Sequence, residues 1–297
     1  MEEASGGARY SRRTRTSDSR LCARGVQEDS ESRERMTIHT LGPAGTFSHE
    51  ATEKIFPGQH VVFAPNFDAL FTALEKNPTD IGIVPIENSL HGSVDEILDL
   101  LYESKVRIVR THDLAIKHAF GAQSAETVSK VCSHSQALRQ CRKWLKVHYP
   151  DAQQVPSTST AAAAALAAED PSVGAIASVK VLKAKGLNVL SEDIEGDGNT
   201  TRFAVVSVKD PFKEEKRTHV TIVLNPKGDR PGLLHALLTP FKVYDVNLTR
   251  IESRPSGERF GHYVFYLDFL GSPDDERTKK VLDEITPLAS VTVLGRW

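Results

Sequence analysis

The chain of 297 residues has few cysteines, no surplus of either charge and no long apolar run. Its three cysteines, Cys22, Cys132 and Cys141, are too scattered for a disulfide framework, so we expect a reducing, cytoplasmic location. The 37 Lys+Arg and 39 Asp+Glu leave a net charge of -2, without the basic surplus of a nucleic-acid-binding protein. Because no run of about eighteen apolar residues occurs, no membrane span is predicted.

Residues 1–36 differ in composition from the rest of the chain. This leader is rich in arginine and serine and almost free of apolar periodicity, so we predict that it is disordered. A transit peptide for an organelle has a similar bias but is poor in acidic residues, and the acids of this leader argue against targeting without excluding it. Met36 directly precedes a strand-like segment, so Met1 and Met36 both stay open as the biological start.

The remaining pattern predicts an α/β protein with a second, smaller domain. Short apolar runs alternate with amphipathic helical segments over residues 37–210, as in α/β folds. A charged linker follows at 211–217. Residues 218–297 then show the order β-α-β-β-α-β, which is typical of a ferredoxin-like fold with two helices on one face of a sheet.

Hydroxyl side chains precede two predicted helices. Thr46 and Ser48 lie in GPAGTFS after the first strand, and Ser159 and Thr160 open the alanine-rich helix. The unpaired amides of a helix N-terminus suit a carboxylate or phosphate, so both corners are candidate anion sites. The same residue types also serve as ordinary helix caps, and this alternative stays open.

Further polar residues follow buried strands. Ligand sites in open α/β sheets lie at the carboxyl ends of strands, which makes these residues candidates for binding or catalysis. Helix capping or simple solvation would also explain several of them. They are Asn88 and Ser89 in VPIENSLHG, Ser133 and Gln140 in SHSQALRQC, and Thr201, Arg202 and Phe203 in NTTRF.

Two of these residue types indicate particular roles. Arg202 is a planar cation that suits bidentate binding of a carboxylate, and Thr201 offers a hydroxyl donor. An unassisted threonine is a poor nucleophile, so donation is its more natural role. Cys132, His134 and Cys141 lack a fourth ligand and the paired spacing of a zinc site, so we predict neither a metal nor a cofactor.

The motifs GPAGTFS, VPIENSLHG, SHSQALRQC, STAAA and NTTRF, in this order, resemble prephenate dehydratase. DRPGLLHALL and NLTRIESRP resemble the ACT regulatory domain that usually accompanies it. The resemblance covers about residues 37–297. It implies a catalytic domain over 37–210, built from two subdomains like type-2 periplasmic binding proteins, with the substrate between them. The subdomains would span about 37–112 with 190–210, and 113–189.

The resemblance also implies an activity, the conversion of prephenate to phenylpyruvate, water and carbon dioxide in phenylalanine biosynthesis. The family's catalytic positions are matched by Thr201, Asn88, Gln140 and Ser133. Thr201 resembles the family residue that donates a hydrogen bond to the leaving hydroxyl. The residues that would bind substrate are Thr46, Ser48, Ser89, Ser159, Thr160, Arg202 and Phe203.

For the ACT domain, the resemblance implies feedback regulation by L-phenylalanine bound between subunits of a homo-dimer or tetramer. Leu233 stands where the family often has alanine, which leaves phenylalanine inhibition a hypothesis. Two other functions stay open, an arogenate dehydratase and a non-catalytic amino-acid sensor. The implied effector-site residues are Arg230, Pro231, Gly232, Leu233, Leu234, Asn247, Glu252, Ser253, Arg254 and Pro255.

Overall fold

A computed structural model describes residues 36–196, 198–212, 215–257, 261–272 and 274–297. Apart from Met36, the predicted leader lies outside these residues. Within them, no helix is long and apolar enough to cross a membrane.

Strands and helices alternate along the described chain, as predicted. The strands are β1 (Ile38–Leu41), β2 (Val61–Ala64), β3 (Ile81–Asn88), β4 (Gly92–Ser93), β5 (Arg107–Ala115), β6 (Ala119–Ala122), β7 (Lys130–His134), β8 (Gln153–Ser157), β9 (Val173–Ala177), β10 (Asn188–Ser191), β11 (Thr200–Ser207), β12 (His219–Pro226), β13 (Leu248–Pro255), β14 (Tyr263–Leu270) and β15 (Ala289–Arg296). The helices are α1 (Phe47–Ile55), α2 (Phe67–Lys76), α3 (Asp95–Glu103), α4 (Ser135–Gln140), α5 (Arg142–His148), α6 (Thr160–Glu169), α7 (Val179–Ala184), α8 (Leu233–Val243) and α9 (Glu276–Ile285).

The first part of the chain builds a mixed sheet in the order β5-β11-β3-β1-β2, with β4 paired to β3. β1 runs parallel to β2 and β3, whereas β11 runs antiparallel to β3 and β5. Leu70, Leu74 and Ile97 from the covering helices pack into its buried core with Val84 and Val206. The strands β3 and β11 thus lie at the centre of the sheet, buried on both faces.

Between β5 and β11 the chain forms a second, five-stranded sheet in the order β10-β6-β9-β7-β8. Small residues of α6 pack against it, including Ala163, Ala164 and Ala167, so the alanine tract is a close-packed helix. β10 pairs with β6 in this sheet, so residues 190 and 191 lie in the second sheet rather than in the first subdomain, where we had placed them. The domain boundaries otherwise stay predictions.

The C-terminal part has the predicted β-α-β-β-α-β order, with its strands arranged β13-β14-β12-β15. α8 and α9 share one core, in which Leu237 and Phe241 lie with Val281 and Ile285. The amphipathic spacing of these residues explains why both helices cover the same side of the sheet. This confirms the predicted ferredoxin-like order.

The two parts share one sheet, which the sequence did not predict. β15 runs parallel to β5 with Gly295 opposite Ile108, and this pair joins the strands into a ten-stranded sheet. A Cβ atom on Gly295 would lie 2.4 Å from the backbone oxygen of Ile108, so glycine is required for the close approach. The predicted linker therefore connects two regions that also contact each other through their strands.

We expect Gly295→Ala to destabilise the protein by about 1–3 kcal/mol, because the added methyl group overpacks the junction between β15 and β5. The melting temperature should fall by about 2–4 °C for each kcal/mol. Gly228→Ala is the matched control, since a Cβ there meets nothing within 4 Å. Thermal unfolding followed by circular dichroism measures both variants, and equal melting temperatures would contradict the proposed crowding.

Candidate active site

A cavity of about 340 Å³ lies between the two sheets of the N-terminal part. The first part of the chain contributes Thr46, Asn88, Thr201 and Phe203 to its wall. The opposite wall carries predicted site residues as well, namely Gln140, Ser159 and Thr160. The structure therefore brings candidates from all five motifs, distant in sequence, into one cleft.

Thr201 owes its position to the pairing of β11 with β3. In their antiparallel register Thr201 lies opposite Asn88, at the carboxyl end of β3. The register shifts after Arg202, so that Phe203 pairs with Pro85. This irregularity accommodates a proline inside a central strand, where it cannot donate to the ladder. Side chains of Thr201 and Phe203 consequently both line the cleft.

The orientation of the Asn88 amide is fixed by the backbone. Its Oδ1 accepts from the N–H of Leu90 at 3.1 Å, and its Nδ2 donates to the carbonyl of Thr200 at 3.2 Å. The same Nδ2 donates to Oγ1 of Thr201 at 3.0 Å. Because Thr201 already accepts from Asn88, and no group in the described part of the chain accepts the hydroxyl proton, that proton is available to a ligand.

Two helix N-termini provide anion-binding corners. Thr46 caps α1 by accepting from the N–H of His49 at 3.3 Å, and Ser159 caps α6 by accepting from Ala162 at 3.0 Å. Thr46 and Ser159 therefore act as helix caps and also line the cleft, as predicted for an anion site. Ser48 and Thr160, each 8% exposed, lie in the first turns of these helices and also line the cavity. The positive ends of both helices favour an anionic ligand.

The structure places Ser133, which we predict to be catalytic, behind the cavity wall rather than in it. Its side chain is fully buried, and Oγ donates to the carbonyl of Ile176 at 2.7 Å. This bond ties β7 to β9 inside the second sheet, and Ser133 is not part of the cavity wall. Its hydroxyl is a structural group of the core.

Ser89 also lies outside the cleft, next to a second cavity. Its Oγ donates to the carbonyl of Gly198 at 2.6 Å and accepts from the N–H of Thr200 at 2.9 Å. These two bonds hold the loop that precedes Thr201. The structure therefore engages the Ser89 hydroxyl with that loop rather than presenting it to the cleft, and substrate binding by Ser89 stays a prediction.

Arg202 faces away from the cleft, because neighbouring residues of a strand point to opposite faces. Its Nε and Nη2 donate to the two carboxylate oxygens of Asp113 at 2.8 and 3.1 Å, and Nη1 lies 3.4 Å from Glu87. The hydrogen bond to Asp113 raises the pKa of Arg202 above its usual value. The guanidinium also lies 5.3 Å from the ring of Trp297. The structure thus presents the guanidinium to Asp113 and Glu87 rather than to the cleft, and binding of a substrate carboxylate by Arg202 stays a prediction.

The predicted effector residues lie on α8 and β13 and directly before these two elements. Gly232 has φ 80° directly before α8, a conformation that favours glycine. Leu233 packs against the C-terminal core, whereas Leu234 is 39% exposed. Arg230, Pro231 and Asn247 are exposed. These placements leave the predicted effector turn accessible.

Two residues of β13 contact the catalytic part instead of solvent. Arg254 forms ion pairs with Asp95 and Asp99 of α3, and Glu252 accepts a hydrogen bond from Ser93. Ser253 and Pro255 lie on the opposite, exposed face of the strand. Within one chain, Glu252 therefore connects the C-terminal part to β4 and Arg254 connects it to α3, which the motif alone did not indicate.

Sequence reasoning missed two buried residues next to the site. Asn199 is 5% exposed and contacts both Asn88 and Gln140. His118 is 3% exposed, lines the cavity and lies 2.8 Å from Gln140 Oε1. Asn199 begins the NTTRF motif and could have been included, whereas no pattern around His118 marks it. In the described part of the chain no group of three or more His, Cys, Asp or Glu side chains could hold a metal ion.

Comparisons with known proteins agree with this geometry. Residues 38–211 match the family described as prephenate dehydratase, and residues 220–286 match the ACT domain. A prephenate dehydratase of Methanocaldococcus jannaschii is 38% identical over 84% of this chain and 90% of its own length. Arogenate dehydratase 2 of Petunia hybrida is 32% identical over 89% of this chain and 73% of its own length.

A solved structure shows the same architecture. The prephenate dehydratase of Arthrobacter aurescens, determined in complex with L-Phe, has a TM-score of 0.78 and 33% sequence identity to this chain. The likeness covers 88% of this chain and 89% of the other. The likeness therefore extends over both regions of the described chain.

We expect Arg202→Met to leave KM for prephenate within about threefold, because the guanidinium faces away from the cleft. Loss of a hydrogen bond between a charged donor and a substrate carboxylate would cost about 1.5–3 kcal/mol, a change of about tenfold or more. Steady-state kinetics measures the difference. Asp113→Asn breaks the same ion pair from the other side and is the control, and a KM raised more than tenfold by Arg202→Met alone would restore Arg202 to the substrate site.

Proposed function

Because the chain belongs to the prephenate dehydratase family, we propose that it converts prephenate to phenylpyruvate, water and carbon dioxide. The reaction would serve the biosynthesis of L-phenylalanine. The observation that carries the proposal is the hydroxyl of Thr201, which accepts from Asn88 Nδ2 and so keeps its own proton for a ligand in the cleft.

The chemistry requires a donor at one position. When the ring carboxylate of prephenate leaves as carbon dioxide, its bonding electrons move into the ring and the hydroxyl at C4 departs as water. The ring becomes aromatic, so no external electron sink is needed. Thr201 would donate a hydrogen bond to the departing oxygen while negative charge develops there, which is electrostatic stabilisation of the transition state. The neutral hydroxyl need not transfer its proton completely to have this effect.

The two carboxylates of prephenate need partners as well. The N-termini of α1 and α6 both open on the cleft, and Thr46 and Ser159 stand at their first turns. Unpaired amides at these ends would bind the carboxylates without a cationic side chain. Phe203, 2% exposed, would anchor the strand beside the ring. Gln140 would add an amide donor from the opposite wall.

Arogenate dehydratase is the second candidate, since a relative with that name matches most of the chain. Arogenate carries an amino group where prephenate has a keto group, so the two substrates differ away from the departing hydroxyl. The ratio of kcat/KM values for the two substrates decides between them. A non-catalytic sensor would release neither phenylpyruvate from prephenate nor phenylalanine from arogenate.

We also propose a cytoplasmic enzyme that forms a homo-dimer or tetramer. The low cysteine content supports the location. Among the described strands, β13 is an edge of the ten-stranded sheet, and Ile251 on it is 47% exposed. An exposed edge strand is a natural surface for pairing with a second copy.

Thr201→Ala should lower kcat by about 10²–10³, the usual cost of one lost donor to developing charge. Thr201→Ser should lose less, because it keeps the hydroxyl but not the stiffness of a β-branched side chain. Spectrophotometric detection of phenylpyruvate gives the rates. Thr200→Ala is the matched control, since Thr200 lines the second cavity. Wild-type kcat in Thr201→Ala would remove Thr201 from the mechanism.

L-Phenylalanine should bind to the C-terminal domain and inhibit the enzyme. Gly232→Ala should weaken binding about tenfold without changing kcat, because a side chain at φ 80° costs about 1–3 kcal/mol and displaces the turn before α8. Isothermal titration calorimetry and inhibition kinetics measure these effects, with Gly228→Ala as the control. A wild-type protein without a saturable phenylalanine site would refute effector binding.

A further inference from the structure

A continuous set of hydrogen bonds leads from Thr201 across the cleft to the opposite wall. It runs through the side chains of Asn88, Asn199 and Gln140 and ends at His118. We propose that Asn199 and His118 are positioning residues, which orient the Gln140 amide so that it donates into the cleft. The inference rests on the proposed dehydratase activity and adds two residues, Asn199 and His118, that were not among the predicted site residues.

The orientation originates at Asn88, whose amide is fixed by backbone groups on both sides. Its Nδ2 lies 3.0 Å from the side chain of Asn199. A donor faces Asn199 at this contact, so Asn199 must present its oxygen, Oδ1. The Nδ2 group of Asn199 then points to the other neighbour, Gln140. Since Asn199 is buried, reversal of its amide would leave two donors facing each other without water to separate them.

The side-chain amide of Gln140 is oriented by its neighbours in the same way. Nδ2 of Asn199 lies 3.2 Å from Oε1 of Gln140, and Nε2 of His118 lies 2.8 Å from the same oxygen. Oε1 accepts from both sides, and the Nε2 group of Gln140 is left with one long contact, 3.5 Å to Oδ1 of Asn199. If the Gln140 amide were reversed, its NH2 group would face the NH2 group of Asn199, and neither could accept. Gln140 is therefore held by two neighbours on one oxygen.

His118 supplies the second of these donors. Burial lowers the pKa of His118, with a smaller opposing contribution from its hydrogen bond to Gln140, so the imidazole is neutral near pH 7. Its single proton must be on Nε2, because Gln140 Oε1 can only accept. Nδ1 is consequently a bare acceptor, and it is buried without a partner in the described structure. The ring also packs edge-on against Phe47 with centroids 5.3 Å apart.

The Gln140 Nε2 group carries two hydrogens, and its long contact with Asn199 Oδ1 uses one of them at most, so at least one is left for a ligand. Its neighbour His91 Nδ1 must carry a proton itself, because it lies 3.0 Å from Asn88 Oδ1, which only accepts. His91 Nδ1 thus cannot accept from Gln140, and its distance of 3.4 Å from Nε2 is not a hydrogen bond. Thr201 on one wall and Gln140 on the other both present donors to the cleft, which matches a substrate with carboxylates and a departing hydroxyl.

Asn199→Asp tests this assignment with little change of shape. The aspartate still accepts from Asn88, but its second oxygen faces Gln140 Oε1, so the Gln140 amide must turn over and withdraw its donor. We expect kcat at about pH 8 to fall by about tenfold to a hundredfold, somewhat less than the loss of a direct donor. Circular dichroism and thermal unfolding establish that the variant is folded.

Acidification should reverse the defect. A protonated carboxyl group presents one acceptor and one O–H donor, as the amide of asparagine does, and burial raises the pKa of a carboxyl into a measurable range. The ratio of wild-type to variant kcat should therefore shrink between about pH 8 and pH 5.5, after subtraction of the non-enzymatic rate. Asn199→Leu cannot be protonated and is the control, with a deficit that stays constant.

Other titratable groups do not mimic this recovery, because wild type and variant share them and the ratio cancels their effects. The titratable and charged groups that face the hydrogen-bonded residues are His91, His118, His134, Glu195 and, beside His134, Arg139. A purely structural role for Asn199 would lower kcat without making the deficit depend on pH in this direction.

His118→Phe provides an independent variant that removes the second donor without adding charge. Asn199 still donates to Gln140 there, so kcat should fall less, by about tenfold or below, with the melting temperature within a few degrees. Wild-type kinetics in both variants, or an equal Asn199→Asp deficit at both pH values, would overturn the proposal. If Asn199→Asp does not fold, His118→Phe with wild-type kcat overturns it alone. An inactive wild-type enzyme would instead refute the proposed function.

Discussion

The antiparallel pairing of β3 with β11 is the constraint on which the candidate site depends. It sets Asn88 opposite Thr201, and the amide of Asn88 is oriented by the N–H of Leu90 and the carbonyl of Thr200. Because backbone groups cannot exchange donor for acceptor, this orientation is available without a charged residue. It determines that Thr201 accepts from the protein, so that its own proton is available to a ligand. A neutral hydroxyl thereby becomes a directed donor inside a cleft closed by two helix N-termini.

The two faces of the same strand pair serve different neighbours. Asn88 and Thr201 face the cleft, whereas Glu87 and Arg202, one residue away in each strand, face the C-terminal part of the chain. The ion pair between them is partly exposed, so its contribution to stability is modest. Its geometric effect is larger, since it fixes the backbone of β11 beside Thr201 against residues such as Trp297. The candidate site and the C-terminal domain thus lie on opposite faces of the same two strands, β3 and β11.

The sequence predicted what depends on local pattern. Alternating strands and helices, the β-α-β-β-α-β order and the helix caps at Thr46 and Ser159 follow from periodicity and capping chemistry, and the structure has them. Because successive side chains of a strand point to opposite faces, Thr201 and Arg202 cannot share a face. The prediction that both residues line one site did not take this alternation into account. Ser133 could not be assigned in this way. Whether a polar residue at a strand end meets a cleft or a neighbouring carbonyl depends on the sheet packed around it, and in β7 the carbonyl of Ile176 lies there.

The last element, β15, explains how the C-terminal domain and the catalytic strands can respond to one another. Gly295 contacts Ile108 on β5, and β5 pairs along its length with β11, which carries Thr201. On the opposite side of the junction, Arg254 of β13 holds α3 through two aspartates. A rotation of the C-terminal sheet would therefore act on the catalytic part at two points, strand β5 and helix α3. Packed strands transmit such a rotation as a change of position rather than absorbing it, because interiors are dense and resist compression. In the proposed mechanism the Thr201 hydroxyl meets the departing oxygen at hydrogen-bond distance, so a displacement of less than 1 Å would weaken that bond.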